Sequence, residues 1–307
     1  MKTTEFLRKF FVVVISLFLL DKGLGLVLQH YYFKIRRGEL ARTTYAIDSC
    51  ISETVILGSS RAVHHYVSPV IADILNRSCY NAGQDKQRLI YCLAILKTMY
   101  RRYSPKEIIL DLNPTAFEKN ENGLDELGTL LPYYSSHPEI RPILNMRNKF
   151  EWLKARSRLY CYNSLPLKII FNNVSNQRDT NEKNGYVPLL NRKALLPDSA
   201  GNLPATQPID DRIVTTFKNL IQMTKEHNTA LYVVVSPIYF RIPKDLMSLS
   251  WAKTICMEKG IPFLDYSQDN RFLGHGPEMF LDDGHLNDSS ARLFSAIMAT
   301  DLKKIKQ

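Results

Sequence analysis

Apolar positions along the chain fall into runs of distinct character. The first, Phe10 to Leu20 (FFVVVISLFLL), is uninterrupted. Asp21 and Lys22 break it, and Gly23 to Leu28 (GLGLVL) resumes it. Taken whole, Phe10 to Leu28 predicts a helix long enough to span a bilayer, at about 1.5 Å per residue. The charged pair costs about 2.5–3.5 kcal/mol per residue near the hydrocarbon centre. It lies past the middle of the run, so Lys22 can extend toward the far interface. Lys2, Arg8 and Lys9 precede the run, and the expectation is an uncleaved membrane anchor with the short basic tail inside and the body outside. A cleaved signal peptide shares the basic start and apolar core, but no small-residue cleavage pattern follows. A buried soluble helix is the third reading.

After this segment, short β-like runs alternate with helix-like stretches. Thr54 to Leu57 (TVIL) is fully apolar after its first residue and is followed by Gly58, as expected of a buried parallel strand. Ser78 to Asn81, Glu107 to Leu112 (EIILDL), Ala230 to Val235 (ALYVVV) and Pro262 to Leu264 read as four more strands. Between them, Lys86 to Tyr103 places Leu89, Leu93, Leu96 and Tyr100 at helical spacing. Further helices are expected over Asp210 to His227, Lys244 to Lys259 and Asp288 to Lys304. This alternation predicts an α/β domain with a parallel sheet of about five strands, covered by helices on both faces. Right-handed crossovers bring the strand C-terminal ends to one edge, where α/β sites are built.

The alternation fails between residues 117 and 207. That stretch holds an Asn-rich piece (NNVSNQRDTNEKNG) and the aromatics Tyr133, Tyr134, Trp152, Tyr160 and Tyr162. A loop of this length reads as a partly helical insertion over the active edge, as a lid or substrate platform, or else as a surface excursion. The chain thus divides into an anchor and juxtamembrane segment, 1–45, and a body, 46–307, interrupted at about 117–207.

Composition narrows the classes. Hydrophobic residues make up 45% of the chain, with 13 Gly and 15 Pro, which excludes collagen-like and mostly disordered proteins. Five cysteines with no CxxC pair support neither a disulfide framework nor a zinc ribbon, and they read as small core residues. The net charge of +10 asks for an anionic neighbour. Lys34, Arg36, Arg37 and Arg42 follow the apolar segment and fit contact with anionic lipid. No zinc-finger or RNP-like signature points to nucleic acid. No Walker loop, dinucleotide fingerprint or metal-ligand cluster is present, so no cofactor or metal is expected.

Three features carry candidate chemistry at the predicted edge. Gly58-Ser59-Ser60-Arg61 follows the first strand, where glycine permits a tight turn and a serine can present its hydroxyl above the sheet. The bland reading is a serine N-cap. Asp282-Asp283-Gly284-His285-Leu286-Asn287 precedes the last helix, and the Asp282–His285 spacing lets the carboxylate orient the imidazole as a general base. Here the bland reading is an Asp-Gly turn with a surface histidine. Gly83 (in Asn81-Ala82-Gly83) and Asn113 (in Asp111-Leu112-Asn113) end the second and third strands and offer donors to an oxyanion, or are simply loop residues. Of the remaining groups, His64 and His65 diverge by about 100° on a helix and are expected near the surface or sheet rim. Arg61 reads as a brace for the turn through bonds to carbonyls, or as a contact for an anionic substrate group.

Order and spacing together are more informative than any one motif. Strand-GSS, strand-NAG, strand-DLN and a C-terminal DxxHLN resemble the SGNH (GDSL-like) hydrolase family over roughly Val55 to Leu302. The resemblance implies a three-layer, flavodoxin-like fold preceded here by a transmembrane helix. It implies Ser60 as nucleophile, His285 as base, Asp282 as its partner, and Gly83 and Asn113 joining the Ser60 N–H in the oxyanion hole. Three positions depart from the pattern: Ser59 replaces the usual Asp, Asp111 stands where Gly is frequent, and Ser290 replaces a glycine. GSSR starts with an N-terminal anchor look like divergent members associated with bacterial cell-surface polysaccharide modification. The implied function is a membrane-anchored serine esterase or O-acyltransferase with an extracytoplasmic domain, acting on an acylated small molecule or glycan. The alternative is a catalytically inactive scaffold or glycan-binding protein of the same fold.

Overall fold

Strand β1 (Thr54–Leu57) is buried along its whole length, as a four-residue run with apolar side chains on both faces requires. In the computed structural model, which describes residues 2–120, 123–174, 182–190, 196–197, 199–203 and 206–306, it pairs with β2 (Cys79–Asn81) and β3 (Glu107–Asp111). Strands β4 (Ala230–Val235) and β5 (Phe263–Asp265) extend the sheet beyond β3. All four pairings are parallel, in the order β2-β1-β3-β4-β5. This is the flavodoxin-like order, with its switch point between β1 and β3. The expected strands lie within one or two residues of their observed bounds.

Alternation along the strands sends side chains to both faces. Ile56, Ile109, Tyr232 and Val234 join one core with Tyr66, Phe294 and Met298. On that face sit three helices, α3 (Ser60–His65), α4 (Ser68–Leu75) and a C-terminal helix (Asp288–Ile305) that packs against both. The opposite face carries α5 (Leu89–Tyr100), buried on nearly every side, as a helix with Cys92, Ala94 and Ile95 between its leucines must be. Packed against α5 is the helix Asp211–Glu226, whose apolar stripe includes Ile213, Phe217 and Leu220. Each side chain placed here stabilises the sheet by about 1.5–3 kcal/mol relative to exposure. Two helices between β1 and β2 were not legible as separate elements. The break between them is Tyr66-Val67 in extended conformation, after which Pro69 lies in the first turn of α4.

The chain forms two compact units. One comprises Met1–Thr44 and Leu124–Arg178, the other Tyr45–Gly123 and Asp179–Gln307. The sheet and its helices belong to the second.

In the first unit, helix α1 (Lys2–Lys34) is 33 residues long. It is long and apolar enough to cross a membrane by length and composition. The charged pair within it has protein partners. Oδ1 of Asp21 accepts from the N–H of Leu159 at 3.1 Å and from the Ser157 hydroxyl, and Oδ2 accepts from the N–H of Arg158 at 3.1 Å. Lys22 donates to the carbonyl of Arg156 at 2.8 Å. The pair is thus met by residues 156–159, which lie more than 130 positions away in sequence. Part of the Asn-rich stretch, residues 175–181, lies outside the described residues.

Candidate active site

The turn after β1 is built on two glycines. Gly58 has φ +151°, and a Cβ there would lie 2.8 Å from Cβ of Ala62 and 3.0 Å from the Asp111 carbonyl. At Gly83 a Cβ would lie 2.7 Å from the same Ala62 carbon. The first turn of α3 therefore rests on both glycines, and side chains at either would lift it. Ser59 occupies the N-cap but makes no side-chain capping bond. Ser60 is the first helical residue, so its own N–H precedes the helical ladder.

Strand β6 (Phe280–Asp282) and strand β7 (His285–Leu286) form a hairpin whose two-residue loop, Asp283-Gly284, places Asp282 directly opposite His285. The expectation of one turn bringing the two together is met by a hairpin. The N–H of Gly284 donates to Asp282 at 2.8 Å and tightens the loop. Asn287 ends it as the N-cap of the C-terminal helix (Asp288–Ile305), accepting from the N–H of Ser290 at 3.0 Å and donating to the carbonyl of Glu278 at 2.6 Å.

These two constructions bring three side chains into line. Nε2 of His285 lies 2.7 Å from Oγ of Ser60, and Nδ1 lies 2.9 and 3.0 Å from the two Asp282 oxygens. An ionised carboxylate only accepts, so Nδ1 carries the hydrogen and Nε2 is the acceptor for the Ser60 hydroxyl. Burial works to raise the Asp282 carboxyl, but the His285 hydrogen bond and charge and the N–H groups of Gly284 and His285 outweigh it and hold it below its ordinary value. Ser60 is half-buried, whereas the Asp282 side chain is 51% exposed, so solvent screens part of its effect on the imidazole.

The donors named from sequence are placed differently. Asn113, exposed just past β3, accepts from both the N–H and the hydroxyl of Thr115 at 3.0 Å through Oδ1. The N–H of Gly83 donates to Oδ1 of Asn81 at 3.0 Å, so this donor already has a partner. Asn81 is itself held, its Nδ2 donating to the carbonyls of Ala62 and Tyr66.

His65 is not at the surface, contrary to the expectation from helical spacing. It is fully buried, because α3 is covered by the C-terminal helix on that side. Its Nε2 accepts from the N–H of Leu286 at 3.0 Å, so Nδ1 carries the hydrogen and donates to Ser236 Oγ at 3.0 Å. Burial, reinforced by the neighbouring His285, Arg61 and His64, holds His65 well below the ordinary imidazole value. His64 meets the carbonyl of Val187 at 2.8 Å, within a segment stitched to this edge by Val187 N–H to Val63 and Asp288 N–H to Leu189.

Arg61 braces the turn as expected, donating to the carbonyl of Leu112 at 2.8 Å and to Asp111 at 3.3 Å. Asp111 is the buried hub beneath the site. It also accepts from the Tyr66 hydroxyl at 2.8 Å and the Ser236 N–H at 3.3 Å. Burial and this carboxylate push the Tyr66 phenol well above its usual value. The position where glycine is frequent in the SGNH pattern thus holds the partner that Arg61 needs.

No family model matches the chain, and no curated protein matches it. Among solved structures, the crystal structure of the lipase/acylhydrolase from Enterococcus faecalis is similar at 14% identity and a TM-score of 0.39, with 82% of this chain and 96% of that chain covered. A likeness of that size adds nothing to the geometry above.

Proposed function

We propose that this protein is a serine esterase or O-acyltransferase of the SGNH type, anchored by α1, with a cell-surface glycan as the acyl carrier or acceptor. The observation that carries the reading is the Ser60–His285–Asp282 line, with its 2.7 Å contact between hydroxyl and imidazole. In the first step Oγ of Ser60 attacks an ester carbonyl while Nε2 of His285 takes the hydroxyl proton. Asp282 holds the imidazole in the required tautomer and stabilises its charge. The tetrahedral oxyanion is met by the N–H of Ser60 and by Nδ2 of Asn113, with the Gly83 N–H shared between the oxyanion and Asn81. Collapse expels the alcohol, which takes the proton from His285, and leaves an acyl-serine. Water or a sugar hydroxyl, deprotonated by His285, then attacks the acyl carbonyl; the bond to Oγ of Ser60 breaks and His285 returns its proton to that oxygen, so that water gives hydrolysis and the sugar gives transfer.

One observation favours a second reading, a non-catalytic scaffold or glycan-binding protein. The Gly83 N–H has an internal partner, so one of the expected donors is not free. A fluorophosphonate probe separates the two. Labelling of the wild type that is lost in Ser60→Ala and kept in Ser59→Ala supports the enzyme. A folded wild-type protein that takes up no probe at Ser60 overturns it.

A further inference from the structure

Residues 150–174 pack beside the apolar helix at a defined depth. Asp21, Gly25, Gln29 and Tyr32 fall on one face of α1, spaced by four, four and three. That face meets the later segment: besides the Asp21 bonds, Gln29 accepts from Arg158 at 3.0 Å, and the Tyr32 ring packs 5.7 Å from that of Tyr162. At Gly25 the approach is closest, since a Cβ there would lie 2.4 Å from Cβ of Arg158. The other side of the same turns stays apolar and open, with Leu24, Leu26 and Val27 at least half exposed. Whatever depth Leu24 to Val27 occupy, residues 156–159 share it.

The segment that reaches this depth turns apolar side chains outward. Phe150, Trp152 and Leu153 are exposed in and beside α7 (Glu151–Lys154). Cations lie over their rings, Lys149 at 4.9 Å from the Phe150 centroid and Arg156 at 5.1 Å from that of Trp152. Helix α8 (Pro166–Val174) runs back along α1. Lys168 pairs with Glu39, which follows α1, and Asn173 donates to the carbonyl of Tyr31 within it. Its Ile169 is buried, while Leu167, Ile170, Phe171 and Val174 form an outward stripe, each more than half exposed. Aromatic rings with adjoining Lys and Arg are what the boundary between acyl chains and head groups accommodates.

We infer that residues 149–174 form a collar around α1 that is seated in the interfacial layer of a phospholipid leaflet bearing anionic head groups. The inference rests on the reading of α1 as a membrane helix. The rings of Phe150 and Trp152 and the α8 stripe enter the acyl boundary, while Lys149, Lys154 and Arg156 meet phosphates. Protein partners on the inner face of the collar then replace water around Asp21 and Lys22 at that depth. An exposed apolar stripe alone fits a protein partner as well. The shared depth with Leu24 to Val27 and the cations beside the rings favour lipid.

The chain has two tryptophans, Trp152 and Trp251. In the full chain carrying Trp251→Phe, reconstituted into phosphatidylcholine–phosphatidylglycerol vesicles, Trp152 is expected to be quenched several-fold more by shallow spin-labelled or brominated lipids than by deep ones. Aqueous iodide should quench it weakly, and vesicles lacking phosphatidylglycerol should reduce the lipid quenching. Phe171→Trp in a chain without the two native tryptophans gives a second reporter, with the same order expected. Leu17→Trp in that background reports α1 itself. Deep quenching at Leu17→Trp with iodide-accessible Trp152 and Phe171→Trp overturns the collar and leaves the anchor standing, with a protein partner as the occupant. Iodide access at all three positions overturns both.

Discussion

The N–H of Leu286 donates to Nε2 of His65 across 3.0 Å. The residue after the candidate base is thereby held by a histidine five positions beyond the candidate nucleophile. The His65 ring meets that of His285 edge to face, with centroids 6.0 Å apart. It ties the nucleophile's helix to the hairpin that carries His285, and through Ser236 to the end of β4.

His65 is therefore a positioning residue. Replacing it with Leu removes the acceptor for Leu286 and lets the hairpin drift, and a misplacement of about 1 Å costs about 100-fold in rate. Glutamine supplies an acceptor and a donor and is expected to restore most of the loss. The measurement is the rate of fluorophosphonate labelling at Ser60 beside the circular dichroism of each variant. Equal labelling rates in folded His65→Leu and wild type would sink the assignment.

The same residue sets an acid sensitivity. Unfolded, His65 titrates near pH 6.5, whereas folded it resists protonation. Below about pH 6.5 the unfolded chain binds the extra proton, so stability falls as pH falls, by up to about 1.4 kcal/mol per pH unit. The Asp282 carboxyl, held low, contributes stability above its unfolded value near 3.8 that is lost only as pH falls through its lower folded value. Denaturation of wild type and His65→Gln in detergent between pH 7 and 5 should converge toward the acid end. A constant gap across that range contradicts the burial argument.

At the site itself, His285→Ala is expected to lower ester turnover by about 10²- to 10⁴-fold, the usual worth of a positioned acid–base group. Asp282→Asn should cost less, because the carboxylate is half exposed and its charge is screened. Turnover of a p-nitrophenyl ester by the purified variants checks the order. An Asp282→Asn loss larger than that of His285→Ala reverses it.

The Arg61–Asp111 pair is buried on both sides, with side chains 4% and 0% exposed. Removing one partner leaves the other buried without compensation, at a cost of about 3–5 kcal/mol. Arg61→Met and Asp111→Leu are each expected to reach that range, and the double variant to lose less than the sum. Chemical denaturation of the three proteins measures the coupling. Strict additivity would show that the two side chains do not act as a pair.

How much of this was legible varies by element. Strands Thr54–Leu57 and Ala230–Val235 lie where the apolar runs place them, because a strand buried on both faces leaves a continuous β-branched signal. The helix after Asn287 was equally plain, since its cap lies beside it in the chain. The burial of His65 was not. Its spacing from Ser60 puts it on another face of α3, and only the packing of the C-terminal helix turns that face inward. Asp111 looked like a departure from a pattern, since its partners Arg61, Tyr66 and Ser236 are 45 or more positions away.

Local chemistry along the chain was enough for the strand runs, the glycines of the first turn and the order of the motifs along the sheet edge. Those depend on neighbours within a few residues, through backbone sterics and side-chain periodicity. It took packing of the folded chain to bring Ser60 and His285, 225 positions apart, to 2.7 Å, and to satisfy Asp21 with residues 157–159. Such meetings depend on how whole elements pack after long excursions of the chain, and no local pattern encodes that distance.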